Sequence, residues 1–295
     1  MASAALQTII AAKRANPYTD EKSIEELRAE VEARASEPLP EGTTHNPVDA
    51  DGVPAEWVAA TGVTGDRAFL FIHGGGYYRG SPASSRATAA RISAATGARV
   101  LSTSYRLAPE HPFPAAIDDV HTVYRWMLGQ GADAARLMVG GISAGGGLTL
   151  ALLLKLKDGG EALPAGAVPM SAWTDMTQSA ETYRSKADED PAISKAYLDR
   201  MSGYYLNGTD PKTPLASPLF GDLSGLPPLL VQVGTAETLL DDSRVFAEKA
   251  QAASIEVAYE PWQDMIHGWH GSAAVLPEAQ AAIDSIGRFF KARVP

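Results

Sequence analysis

The chain contains no cysteine, which excludes disulfides, thiolate metal sites and a cysteine nucleophile. It also lacks any run near the ~18 consecutive apolar residues of a membrane-crossing helix. Positive charge is in deficit: 25 Lys and Arg stand against 35 Asp and Glu. The formal net charge of -10 argues against nucleic acid and anionic membrane surfaces as partners. There is no internal repeat and no low-complexity tail. Lys13 and Arg14 follow the first apolar stretch, whereas a secretory leader carries its basic residues before one, so a soluble cytoplasmic protein is expected. What is present is an ordinary globular composition, 45% hydrophobic and 20% charged over 295 residues, enough for one large α/β domain.

Short apolar runs alternate with helical patterns along most of the chain. Residues 1–35 read as two helices broken at Asn16-Pro17, the second opened by a capping box of Ser23 and Glu26. Residues 36–55 read as a connection with one edge strand. Strands are then expected at Glu56–Ala60, Ala68–Ile72, Arg99–Thr103, Leu137–Val139, Ala167–Ser171, Pro228–Val233 and Ile255–Tyr259. Helices are expected at Ala87–Ala95, Ala115–Leu128, Leu148–Leu156, Ser194–Tyr205, Leu239–Ala252 and Pro277–Ala292. This alternation implies a mostly parallel sheet with helices on both faces, and ligands in such sheets bind at the carboxyl ends of strands. Trp173 to Ser217 has no strand signal and reads as an insertion over one end of the sheet.

The most informative stretch is Gly141-Ile142-Ser143-Ala144-Gly145, set between a buried strand and an apolar helix. It fits G-x-S-x-G, a tight strand-to-helix turn that lifts a serine hydroxyl clear of the sheet. Its neighbours two residues away must be small, and the first helix amides point where an oxyanion would form. A phosphate-binding loop would need Lys and then Ser or Thr after its last glycine, but Gly146 and Gly147 follow Gly145. A dinucleotide fingerprint would need glycine where Ser143 stands. Further back, Ala68–Ile72 runs into His73-Gly74-Gly75-Gly76, whose bare amides suit the second part of an oxyanion hole. His73 precedes the serine and reads as a side chain that holds this loop. Arg106, Glu110 and Asp118 read as a charge network fixing the proline-rich loop around His111.

A serine hydroxyl needs a base, and the base an orienting acid. His267, followed by Gly268 in the loop after the last strand, is the expected base, with His270 its competitor. His45 and His121 read as surface or satisfied core residues. The acid must come from Glu237, Asp241 or Asp242, all in the loop after Pro228–Val233. Thr238 and Asp241 have the form of a helix-capping pair, which gives Asp241 a structural task and leaves Glu237 as the acid. Both follow the same strand, so topology does not separate them.

Together, His73-Gly-Gly-Gly76, Tyr105-Arg-Leu-Ala-Pro-Glu-His-Pro-Phe-Pro114, Gly141-Ile-Ser-Ala-Gly145 and His267-Gly268 resemble the hormone-sensitive-lipase-like carboxylesterases of the α/β-hydrolase fold. The chain departs from that pattern at Ile142, Trp269 and the acid turn Glu237-Thr238-Leu239. The resemblance implies a single domain over 1–295, with a mobile cap built from about 1–45 and 175–215. It implies Ser143 as nucleophile and His267 as base, with the amides of Gly75, Gly76 and Ala144 as oxyanion donors. Trp173, Met176, Tyr205 and Leu206 in the insertion, and Tyr77 beside the glycines, are assigned as pocket or cap contacts, with ordinary core packing as the competing account. The expected reaction is hydrolysis of small or short-chain carboxylic esters through an acyl-enzyme, with no metal or organic cofactor. A lactone or amide would suit the same constellation, and a catalytically silent ligand receptor is the alternative from another class. The expected partner is a small-molecule ester, and a homodimer remains open as the assembly.

Overall fold

The computed structural model describes residues 2–16 and 22–294. The helices are α1 (Ala4–Ala15), α2 (Ile24–Glu32), α3 (Pro82–Thr96), α4 (Ala115–Gly129), α5 (Ala144–Asp158), α6 (Thr182–Ser185), α7 (Lys195–Leu206), α8 (Leu240–Ala252) and α9 (Pro277–Arg293). The strands are β1 (Thr44–Ala50), β2 (Val53–Ala59), β3 (Ala68–Ile72), β4 (Arg99–Thr103), β5 (Leu137–Ile142), β6 (Gly166–Met170), β7 (Leu229–Gly234) and β8 (Val257–Trp262). Among the described residues they form one eight-stranded sheet in the order β1-β2-β4-β3-β5-β6-β7-β8. Pairing is parallel from β4 through β8, while β2 is antiparallel to both β1 and β4. The chain therefore has the α/β-hydrolase architecture.

Each central strand is apolar on both faces because helices cover both. On one side Phe69, Phe71, Val100 and Met138 pack with residues of α3 and α9, and Leu6 of α1 joins them. On the other, Leu70, Ile72, Leu101 and Val139 pack with α4 and α5. Leu150, Leu153 and Leu154 of α5 then meet Phe246 and Ala247 of α8. Because β3 and β5–β8 run parallel, the loops carrying His73–Gly76, Ser143, Ser171, Glu237 and His267 all leave the same edge of the sheet.

Several boundaries differ from those the periodicity suggests. The 36–55 region holds most of a hairpin, closed by Asp51 and Gly52, both at positive φ. That Asp-Gly pair is a strong hairpin signal, and β1 is exposed along most of its length and contains Pro47, as an edge strand tolerates. α3 begins five residues early, with Pro82 in its first turn and a capping box between Ser81 and Ser84. α5 begins at Ala144, since the weak helix-forming glycines of its first turn are held by packing rather than propensity. α1 ends at Ala15 with Asn16 as its C-terminal cap, and Pro17 of the expected break lies outside the described residues.

The expected capping pair at α8 does not form. The helix has no side-chain cap; the Thr238 hydroxyl donates to the Ile193 carbonyl, and Asp241 pairs with Arg244 at 2.8 Å. The single charge network around the proline-rich loop is instead three separate pairs. Arg106 holds Asp119, Arg28 holds Glu110 and Lys155 holds Asp118. Arg28 also donates to the carbonyls of Tyr78 and Ala108, so α2 is tied to both the glycine-rich loop and the proline-rich one.

Candidate active site

Ser143 sits at φ 60° and ψ −118°, a conformation L-residues rarely adopt and one that costs on the order of 1–3 kcal/mol unless its surroundings enforce it. The surroundings do so through contacts only glycine permits. A Cβ on Gly145 would lie 2.1 Å from the Ile72 carbonyl oxygen, and one on Gly141 would lie 2.4 Å from that of Gly145. The elbow is thus wedged against the end of β3. The Ser143 amide donates to the Met170 carbonyl at 2.9 Å, and its own carbonyl accepts from Gly147 and Trp173. Only 9% of the residue is exposed.

From Ser143 a line of hydrogen bonds crosses three loops. His267 Nε2 is 2.9 Å from Ser143 Oγ, and His267 Nδ1 is 2.9 Å from Glu237 Oε2. The carboxylate fixes the proton on Nδ1, which leaves Nε2 free to accept from the serine hydroxyl. Gly268, at φ 67°, provides the turn that follows His267. Glu237 is fully buried, and its other oxygen accepts from the Gly234 amide at 2.6 Å and from Ser171 Oγ at 2.6 Å. Ser171 in turn lies 3.4 Å from the Gly268 amide as its acceptor. In sequence Ser171 is only the last residue of an expected strand; its positive φ of 45° is the structural sign of a special turn. Asp241 is bonded to Arg244 instead. Asp242 is buried beneath the insertion, where it accepts from the amides of Thr174 and Asp175. His270 is also buried, 3.1 Å from Gln232 Oε1 through Nε2, and burial pushes its pKa down to about 3.

The glycine run lies directly beside the serine, since a Cβ on Gly74 would sit 3.4 Å from that of Ser143. Gly75 and Gly76 are both at positive φ. Among the described residues the amides of Gly75, Gly76 and Ala144 donate to no acceptor, while the Gly75 carbonyl is engaged by Tyr78 and Arg79. His73 holds the loop: it stacks on Tyr105 at 4.3 Å, its Nδ1 lies 2.7 Å from the Gly74 carbonyl oxygen, and Tyr105 donates to the His73 carbonyl. Burial lowers its pKa to about 4, so it is a neutral structural imidazole at pH 7.

A cavity of about 200 Å³ opens in front of Ser143 and His267, lined among others by Ile193, Tyr197 and Leu198. None of the five expected contact residues lines it. Tyr77 stacks on Tyr205 at 3.8 Å and meets Trp173 at 5.9 Å. These three, with Met176 and Leu206, are buried in the core cluster behind the cavity. Their apolar bulk is satisfied there, which is the competing account. Ile193 lies just before α7 and Tyr197 and Leu198 in its first turn, on the same insertion, and they carry no sequence signal that distinguishes them from their neighbours. Of the other histidines, His45 pairs with Glu56 and His121 with Glu161. Among the described residues no group of three or more His, Asp or Glu side chains converges to hold a metal ion.

Known proteins share this fold. A family model described as the alpha/beta hydrolase fold matches residues 69–271. An acetyl-hydrolase of Streptomyces hygroscopicus is 44% identical over 237 residues, covering 80% of this chain and 79% of that protein. An esterase of Acinetobacter venetianus is 38% identical over 244 residues, covering 82% and 80%. The crystal structure of an esterase from the bacterial hormone-sensitive lipase family superposes with a TM-score of 0.97 at 43% identity, over 100% of both chains.

Proposed function

Because this chain belongs to the α/β-hydrolase family, in its hormone-sensitive-lipase-like group, we propose that it is a serine carboxylesterase of small or short-chain esters that works through an acyl-enzyme. The observation that carries the reading is the unbroken line from Ser143 through His267 to buried Glu237, set beside three unengaged amides. Ser143 Oγ attacks the ester carbonyl as His267 Nε2 takes its proton. Glu237 stabilises the imidazolium that results, and the amides of Gly75, Gly76 and Ala144 receive the oxyanion. Each such donor is typically worth about 2.7–4 kcal/mol of transition-state stabilisation. His267 then gives the proton to the leaving alcohol. Water, activated by the same imidazole, attacks the acyl-enzyme and frees the acid and Ser143.

The cavity is small and partly roofed, with Lys13, Val31 and Arg34 from the N-terminal segment and Ala192, Ile193, Tyr197 and Leu198 from the insertion on its walls. The N-terminal segment and the 175–215 insertion act in this reading as a cap that limits the acyl chain. A series of p-nitrophenyl esters of increasing acyl length tests it. Acetate and butyrate esters should be the best substrates, with kcat/KM falling for long chains. Preference for emulsified long-chain triglycerides, or for a lactone or amide over every simple ester, would defeat the reading.

A further inference from the structure

Three cationic side chains crowd the mouth of the cavity before Ser143: Lys13 of α1, Arg34 just beyond α2, and Arg79 of the glycine-rich loop. In a chain of net charge -10 that local excess is only partly balanced. Arg34 pairs with Glu37 at 2.8 Å and donates to the Gly271 carbonyl at 3.2 Å. Arg79 lies over the rings of Tyr78 and Tyr197, and its buried Nε has no hydrogen-bond partner among the described residues. The Lys13 ammonium has no ion-pair or hydrogen-bond partner among the described residues, its carbonyl alone accepting from Asn16. Asp190, whose charge acts on Lys13, is occupied by the amides of Thr238, Ala192 and Ile193. Burial holds Lys13 below its ordinary pKa, with Arg34 and Arg79 adding to the effect and Asp190 opposing it.

Lys13 and Arg34, with Glu37 held by Arg34, also line the adjoining depression beside Ile266, Gly268 and Gly271, which is the His267 side of the serine. A base that protonates the leaving alcohol must face that alcohol, so the alcohol part of an ester lies on this side. The oxyanion amides of Gly75 and Gly76 lie on the other. We propose that the natural substrate is an ester whose alcohol part bears a carboxylate, bound at the entrance by Lys13 and Arg34 and attracted by Arg79. This inference rests on the esterase reading and narrows its substrate class.

The test compares kcat/KM for para-acetoxybenzoate and its neutral isostere para-acetoxybenzamide. The amide has the more electron-withdrawing ring substituent and thus the better leaving group, so a preference for the carboxylate cannot come from leaving-group chemistry. The carboxylate should be favoured about tenfold at low ionic strength, mainly through KM, and the preference should shrink as salt screens the entrance. Lys13→Met and Arg34→Gln should each lower the ratio, and the double variant should bring it close to one. The salt dependence of the unaltered protein gives an answer even if a variant folds poorly. Equal hydrolysis of the two esters, or a ratio insensitive to both salt and the double substitution, would overturn the inference while leaving the esterase reading intact. A preference found only when the carboxylate is on the acyl side would overturn its placement. Hydrolysis of neither ester would sink the esterase reading and this inference with it.

Discussion

Glu237 and Asp241 are four positions apart, one in the turn before α8 and the other in its first turn, and their surroundings are unlike. The Glu237 carboxylate is buried and bonded to His267, Ser171 and the Gly234 amide, whereas Asp241 is bonded to Arg244 at the start of α8. Glu237→Gln is therefore expected to lower kcat by up to roughly four decades with KM little changed, and Asp241→Asn to leave turnover nearly intact. Steady-state kinetics on a p-nitrophenyl ester would check both. Ser171 acts through Glu237, so Ser171→Ala should cut kcat about tenfold without raising KM, whereas a merely structural defect would lower the active fraction and the melting temperature instead. The strand ends that carry the proposed serine, acid and histidine were legible because each follows a strand and the chain order is fixed, but the choice of Glu237 over Asp241 rested on a capping pair that does not form. Ser171 was not legible, since its partner comes from a neighbouring strand end and nothing local marks it. The five aromatic and apolar residues around Tyr205 carried a signal for burial, and burial alone does not say whether a side chain faces a core or a cavity.

The elements most exposed to a single change are those that meet without side chains between them. Gly141 and Gly145 bring the turn before α5 against the carbonyl of Ile72 at the end of β3. Gly145→Ala would place a methyl 2.1 Å from that oxygen, where neither partner is a flexible side chain. It should destabilise the fold by more than the ~1–3 kcal/mol of ordinary overpacking, read as a drop in the urea midpoint, and activity should fall with it. An unshifted midpoint would mean the elbow is not wedged as described. Helices with capping signals and an apolar stripe, such as α2 and α9, were legible. The first turn of α5 was not, because Gly145–Gly147 oppose helix formation locally and are there for close approach.

For the molecule as a whole, three buried titratable groups tie stability to pH. His73 and His270 are held neutral, with pKa values lowered to about 4 and about 3 against 6.5 in an open chain. The unfolded chain therefore binds more protons below pH 6.5, and stability from these sites, complete above 6.5, is lost as pH falls toward 4. Asp242 has the opposite sign: burial raises its pKa from 3.8 to about 7, so the folded state holds a proton the unfolded chain has lost. Its contribution to stability is greatest below 3.8 and is lost as pH rises through that window to about 7. Melting temperatures across this range should show the loss on the acid side reduced in His270→Asn and the loss on rising pH reduced in Asp242→Asn. Unchanged slopes in either variant would remove that group from the account. The α/β order of the molecule was legible because its strands are buried on both faces. The roofing of the site was less so, because insertion and N-terminal segment meet only in three dimensions.

The central claim is that Ser143 is the nucleophile of an esterase, and labelling with an organophosphate tests it most directly. Incubation with diethyl p-nitrophenyl phosphate should release one equivalent of p-nitrophenol per chain, and ester hydrolysis should decline in step. Peptide mass spectrometry should then find the phosphoryl group on Ser143 in the parent protein and nowhere in Ser143→Ala. Label on another residue with Ser143 unmodified, or undiminished ester turnover by Ser143→Ala, would contradict the account.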